Sequence, residues 1–171
     1  MDPHYKVRTT DTHVYFLTGP FSQWHPSEFM ASLTPGGNEM RFSHAEQYMM
    51  AGKALLFGDH ETLAKIMDAG HPRDQKELGR MVRNFDPVVW DQHAREIVYQ
   101  GNLAKFSQDG DLREYLMASG DRHLVEGAWY DRVWGVALAW DDDKILDQTN
   151  WKGTNWLGES LMRVRNTLNA T

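Results

Sequence analysis

The chain has 171 residues, 41% of them hydrophobic, and a net charge of −6, which suits one globular core. It has no cysteine, which excludes disulfide scaffolds, cysteine zinc sites, thiol nucleophiles and iron–sulfur clusters. The acidic balance argues against gripping nucleic acid through a broad basic face, and no run approaches the roughly 20 apolar residues of a membrane span; the chain reads as soluble and cytoplasmic, with no membrane partner.

Residues 1–12 read as a loose N-terminal segment and 13–171 as a single domain, free of repeats and Pro/Ser-rich linkers. The stretches 13–18 (HVYFLT) and 39–42 (EMRF) are short β-like pieces beside the turn formers Gly19-Pro20 and Pro35-Gly36-Gly37-Asn38. They are expected to pair as a small hairpin-like sheet. From Ser43 the pattern turns helical: Ser43-His44-Ala45-Glu46 has the form of a capping box, and the helix it opens runs to Gly58. Asp59 then caps a second helix ending at Gly70. Pro72 opens a third, to about Val82, and Asp86-Pro87 opens the longest, roughly 87–107, with Gly101 weakening its middle. A short helix covers about 112–119, His123-Leu124-Val125-Glu126 is extended, and 141–150 forms an acidic loop. The last helix, about 154–168, lines up Leu157, Leu161, Val164 and Leu168 on one face. The sum is a mainly helical bundle with a few short strands.

Five of the seven tryptophans fall from Trp129 onward, which suits either core packing or a cleft that stacks a flat heterocycle. There is no Walker loop, GxGxxG, GxSxG or HExxH, and the eight histidines are scattered, so P-loop and serine-hydrolase chemistry and a histidine metal site are set aside; no metal or cofactor is expected. Glu46 and Lys53 stand out. Seven residues apart on one helix, they share a face two turns apart, a rise of about 10 Å that a lysine side chain can shorten. A carboxylate and an amine that meet one ligand is one reading; a capping glutamate and a solvated lysine is the other.

Ordered motifs along nearly the whole chain add a further signal. They are Gly19-Pro20-Phe21-Ser22-Gln23-Trp24; the run from His44 to Ala54, followed by Phe57-Gly58-Asp59; Leu78-Gly79-Arg80, followed by Phe85 and Trp90; Gly101-Asn102-Leu103-Ala104-Lys105-Phe106; and Leu124-Val125-Glu126. Asp131, Trp134-Gly135 and the run from Trp151 to Gly158 complete the series. In this order they resemble the YbiA-like, or NADAR (NAD and ADP-ribose associated), family. The resemblance implies a mainly α-helical orthogonal fold and an N-glycosidase acting where a ribosyl anomeric carbon is bonded to the exocyclic amine of a heterocycle. The implied substrates are ADP-ribose on guanine, in nucleic acid or nucleotide, or ribosylamino-pyrimidine phosphates of riboflavin synthesis. With the first goes an ADP-ribosyltransferase toxin as counterpart. The alternatives are a module that binds ADP-ribose or NAD without cleaving it and an adaptor that uses its tryptophans as an interface.

An arylamine leaves poorly as an anion, so such an enzyme must deliver a proton, a task for Glu46. Lys53 either forms a Schiff base with the ring-opened sugar or binds phosphate or hydroxyl while water attacks directly. Carried over residue by residue, the resemblance makes Glu46, Lys53 and Asp131 the catalytic candidates. Trp90 and Trp134 would flank the heterocycle, and Arg80 and Lys152 would meet phosphate. Asn155 and Gly158 would offer backbone N–H groups at a helix start. Phe21, Ser22 and Trp24 would form another wall, with Phe21 equally suited to the core and Arg80 to a structural salt bridge. The chain departs from many relatives at Val125-Glu126-Gly127-Ala128-Trp129-Tyr130, where Trp129 would re-aim the pocket, and at Val136-Ala137-Leu138-Ala139-Trp140, where relatives often keep a second glycine.

Overall fold

The computed structural model describes residues 2–171. Among them are six α-helices and five short strands, and the chain divides into two compact units, one made of the chain up to His25 together with Gly110–Thr171, the other of Pro26–Asp109.

The first unit is built on a three-stranded sheet. Strand β1 (Val7–Thr9) runs antiparallel to β2 (His13–Phe16), and β2 runs parallel to β5 (His123–Glu126), with Val14 opposite Leu124. Residues 7–9, assigned to a loose segment on sequence, are therefore an edge strand. Successive residues on a strand point to opposite faces, and Val14, Tyr15 and Phe16 are all buried, so both faces of the sheet are covered. One cluster joins Tyr15, Val125, Val136 and Ile145, with Leu138, Trp140 and Trp151 packed against it. Helix α6 (Trp156–Asn169) packs on β5 through the expected stripe Leu157, Leu161, Val164 and Leu168, all buried. Arg165 of α6 donates to Ser119 Oγ and the Arg122 carbonyl, both at 2.8 Å, and so ties α6 to the end of α5 (Gly110–Ala118). The acidic stretch 141–150 carries two 3-10 turns, Asp143–Leu146 and Gln148–Asn150.

The second unit is helical around α1 (Ala45–Leu56), most of whose residues are buried, with α2 (His60–Asp68), α3 (Pro72–Arg80) and α4 (Pro87–Gln108) packed against it. The caps act as the sequence predicts: Asp59 accepts from the Thr62 amide, and Asp86 from the amides of Val88 and Val89. Helix α4 is unbroken at Gly101. A Cβ there would lie 2.6 Å from the Tyr48 ring, so the missing side chain lets α1 and α4 approach rather than weakening α4.

The expected pairing of 13–18 with 39–42 is replaced by two separate sheets. Strand β4 (Glu39–Phe42) pairs antiparallel with β3 (Phe29–Ser32), a segment without strong alternation, while β2 takes β1 and β5. The hairpin is held from α1 and α4. Phe29, Phe42 and Tyr48 form an aromatic cluster, Tyr48 donates its hydroxyl to the Ser32 carbonyl at 2.9 Å, and the Gln108 amide brackets Met30 on both its N–H and its C=O.

Candidate functional site

In the helical unit the start of α1 differs from a capping box on Ser43. His44 is the N-cap, in extended backbone and without a side-chain cap, and the side chain that reaches back is Gln47, whose Oε1 accepts the Ser43 amide at 2.8 Å. Gln47 therefore does the work that a capping reading would give to Glu46. Glu46 sits in the first turn with only 5% of its surface exposed.

Two turns on, Lys53 is half-buried. Its Nζ lies 4.4 Å from the centroid of the Phe85 ring and 5.6 Å from that of Trp90. Burial pulls the amine below the ordinary lysine value, the Arg80 charge pulls the same way, and Glu46 acts in the opposite sense. The structure thus brings Glu46, Lys53, Arg80 and Trp90 into one neighbourhood. Arg80 is exposed at the end of α3, and among the described residues it makes no ion pair, so the salt-bridge reading of this residue is set aside.

Two residues of this unit escaped the sequence reading. Phe85 is one: it stands within a quoted motif, but the loop geometry that turns it over Lys53 leaves no local signature. Lys105 is the other. It is fully buried on α4, and burial pulls its amine down to about 7; its charge in turn pulls the buried His44 imidazole below its usual value, behind the larger effects of burial and His71.

In the sheet-containing unit, Asp131 is half-buried. Its Oδ1 accepts the amides of Val133 at 2.9 Å and Trp134 at 2.8 Å. This turn sets the Trp134 ring edge-on to Trp156, with centroids 5.6 Å apart. Lys152 is exposed, and its amide donates to the Val136 carbonyl.

Asn155 corrects an expectation. The amides of Asn155, Trp156 and Leu157 donate to the carbonyls of Gly135, Val133 and Trp134, so three of the amides at the start of α6, that of Asn155 among them, are taken by the chain's own backbone. The Asn155 side chain is buried and takes two partners on β5, donating to the Leu124 carbonyl at 2.9 Å and accepting the Glu126 amide at 3.0 Å. At Gly158 a Cβ would overlap the Leu124 carbonyl oxygen. Both residues weld α6 to β5. Phe21 is likewise core: it is buried edge-on to Phe16 and Tyr115, at 5.4 and 5.0 Å. Ser22 accepts the Trp24 amide at 3.1 Å, and Trp24 is 41% exposed.

The histidines are less scattered than the sequence suggests. His13 and His123 face each other at 5.5 Å across β2 and β5, beside Trp151. Among the described residues no group of three or more His, Cys, Asp or Glu is arranged to hold a metal ion, and no helix is long and apolar enough to cross a membrane.

The NADAR domain model matches residues 12–169. The chain belongs to the NADAR family. An N-glycosidase of Acanthamoeba polyphaga mimivirus, R617, is 43% identical over 145 residues, covering 85% of each chain. Protein irg-1 of Caenorhabditis elegans is 35% identical over 158 residues, covering 86% of this chain and 74% of its own. An N-glycosidase of Nostoc punctiforme is 28% identical over 155 residues, covering 89% of this chain and 90% of its own. The NMR structure of the Escherichia coli protein YbiA matches with a TM-score of 0.72 at 25% identity, over 95% of this chain and 88% of that one. The mainly helical, few-stranded architecture is therefore the YbiA-like fold, and the names of the NADAR relatives support N-glycosidase activity.

The two departures from the NADAR pattern behave differently. Trp129 is 69% exposed and edge-on to Tyr130, so it stands clear of the core. Val136 is buried in the sheet cluster, and Ala137 next to it has φ of 59°, the left-handed region that glycine enters without strain.

Proposed function

We propose that this protein is an N-glycosidase that cleaves the bond between a ribosyl anomeric carbon and the exocyclic amine of a heterocycle, with ADP-ribose on guanine as its preferred substrate. The observation that carries the reading is the pairing on α1 of a buried carboxyl, Glu46, with a half-buried amine, Lys53, held below its ordinary pKa. An amine attacks only through its lone pair, and burial beside the Arg80 cation favours that neutral form.

The sequence of bonds follows from the substrate. The glycosylamine opens its ring to an imine between C1 and the base nitrogen, and the Lys53 amine adds to C1. The C1 bond to the base nitrogen then breaks as Glu46 delivers a proton, so the base leaves as a neutral arylamine and C1 stays joined to Lys53 as a Schiff base. Water adds to that carbon, the lysine leaves, and the sugar aldehyde closes to its hemiacetal. Direct attack of water at C1, with Lys53 binding phosphate or hydroxyl, is the competing route.

Trp90 and Arg80, already beside Lys53, are proposed to contact the heterocycle and a phosphate. In the sheet-containing unit, Asp131 spends its two hydrogen bonds on Oδ1, which leaves Oδ2 for an N–H or hydroxyl of a ligand. Trp134 and Lys152 are proposed for recognition there, with Ser22 and Trp24 as lesser candidates.

The test is incubation with an oligonucleotide bearing ADP-ribose on guanine, beside a ribosylamino-pyrimidine phosphate, following released sugar by mass spectrometry. Release from the oligonucleotide supports the proposal. Release from the pyrimidine alone reassigns the substrate and keeps the bond class. No release from either, with ADP-ribose bound, makes the protein a binding module.

A further inference from the structure

The segment between α3 and α4 is built to hold one aromatic ring in place. Asp59, 1% exposed at the start of α2, accepts the Arg83 amide on Oδ2 and its guanidinium on Oδ1, both at 2.9 Å. The next residue, Asn84, has φ of 62°, a left-handed conformation that asparagine tolerates better than most side chains and that turns the chain sharply. Phe85 follows. Its ring is braced edge-on by Phe57, with centroids 5.5 Å apart, and Asp86 then caps α4, which places Trp90 one turn into that helix.

A ring fixed so firmly would ordinarily be buried, yet Phe85 is 44% exposed, and what its face meets is the Lys53 amine at 4.4 Å. An ammonium over an aromatic face is stabilised by the ring quadrupole, and Phe85 is the nearer of the two rings, with Trp90 at 5.6 Å. The charged groups coupled to Lys53 are Arg80 from α3 and Glu46 from α1 itself, and they act in opposite senses.

We propose that Phe85 is a positioning residue of this site, its ring holding Lys53 in the ammonium form until the bound substrate draws the amine off the ring toward the sugar carbon. The inference rests on Lys53 as the nucleophile of the proposed function. It supplies what that reading lacks, a reason for the amine to stay protonated in the empty site and to lose its proton when substrate arrives. Drawn off the ring, the ammonium keeps its burial and its Arg80 neighbour and loses its π partner, so the proton passes to water and the lone pair is freed before the amine attacks the sugar carbon.

The experiment is a side-chain NMR titration of the Lys53 ε-methylene in the wild-type protein and in Phe85→Leu and Phe85→Tyr. Leucine keeps the site apolar and removes the π face; tyrosine restores it. The Lys53 midpoint is expected to fall by about half a pH unit in Phe85→Leu, the size of one partly exposed cation–π contact, and to return in Phe85→Tyr. A midpoint that stays or rises in Phe85→Leu overturns the proposal. With a substrate that is turned over, the limb of kcat/KM set by Lys53 in the free enzyme is expected to move down by the same amount in Phe85→Leu, while the limb of kcat, set in the complex, stays. Equal movement of both limbs overturns the departure of the amine from the Phe85 ring in the complex. If neither substrate is cleaved, the functional reading fails, and the NMR midpoint still decides the Phe85 contact.

Discussion

Asp59 grips Arg83 at two points, backbone amide and guanidinium, each at 2.9 Å, while also capping α2 through Thr62. The Arg83 hydrogen bonds, with those from Thr62, hold the Asp59 carboxyl well below the usual carboxylate range. A carboxyl lowered on folding stabilises the native state fully above its unfolded value of about 3.9, and the contribution is lost as pH falls from there toward the folded value. Asp59→Asn is therefore expected to lower Tm clearly at pH 7 and progressively less toward pH 2. Thermal melts of both proteins across that range check it; a gap that stays constant with pH would mean the charge is not what matters.

Gly158→Ala separates a packing role from a phosphate-binding one. A methyl at that position overlaps a backbone oxygen on β5, which cannot rotate away, so α6 must shift. Overpacking of this kind costs about 1–3 kcal/mol. At the size of this chain that is a Tm lower by about 5 °C. A variant with unchanged Tm and a raised KM would return Gly158 to the binding site.

What was legible in the sequence was local. Asp59, Pro72 and Asp86-Pro87 announced three helix starts because a cap and a proline act on the amides beside them. The Glu46–Lys53 pair was legible for the same reason, since both lie on one helix. Strand partners were not: β2 pairs with β5, more than a hundred residues later, and nothing at residues 13–16 encodes that choice. The start of α6 looked like an open anion site because its amides are orphans in any helix; carbonyls from residues 133–135 take those of Asn155, Trp156 and Leu157, and only the folded loop shows it. Phe85 escaped because its position depends on a carboxylate 26 residues earlier and on a left-handed asparagine.

Ala137 offers a stabilising substitution. Its φ of 59° costs a Cβ-bearing residue about 1–2 kcal/mol, part of which glycine returns through a more flexible unfolded chain. Ala137→Gly keeps the hydrogen bond from this amide to the Asp131 carbonyl and leaves the buried Val136 in place. The expected result is a gain of about 0.5 kcal/mol, a Tm higher by about 1–2 °C by calorimetry. A lower Tm would show that the alanine methyl makes contacts worth more than the strain.

The catalytic assignment stands on three variants read together. Glu46→Gln is expected to lower kcat by about 10²–10⁴ with the circular dichroism spectrum unchanged, the usual range for a lost proton donor. Lys53→Ala should abolish turnover and also the lysine–sugar adduct that borohydride traps in the wild-type protein. Turnover that persists in both variants removes these residues from the mechanism; turnover without a wild-type adduct selects direct attack by water. Arg80→Gln tests the electrostatics. The rate should rise with pH as Lys53 loses its proton, and Arg80 is one of the groups that lowers the pH at which this happens. Removing its charge raises the Lys53 pKa, so the rising limb of kcat is expected to move to higher pH, and KM to rise with the loss of the proposed phosphate contact. A limb that stays in place would mean either that Arg80 does not act on the amine or that the amine is not the group that titrates, and the borohydride result distinguishes the two.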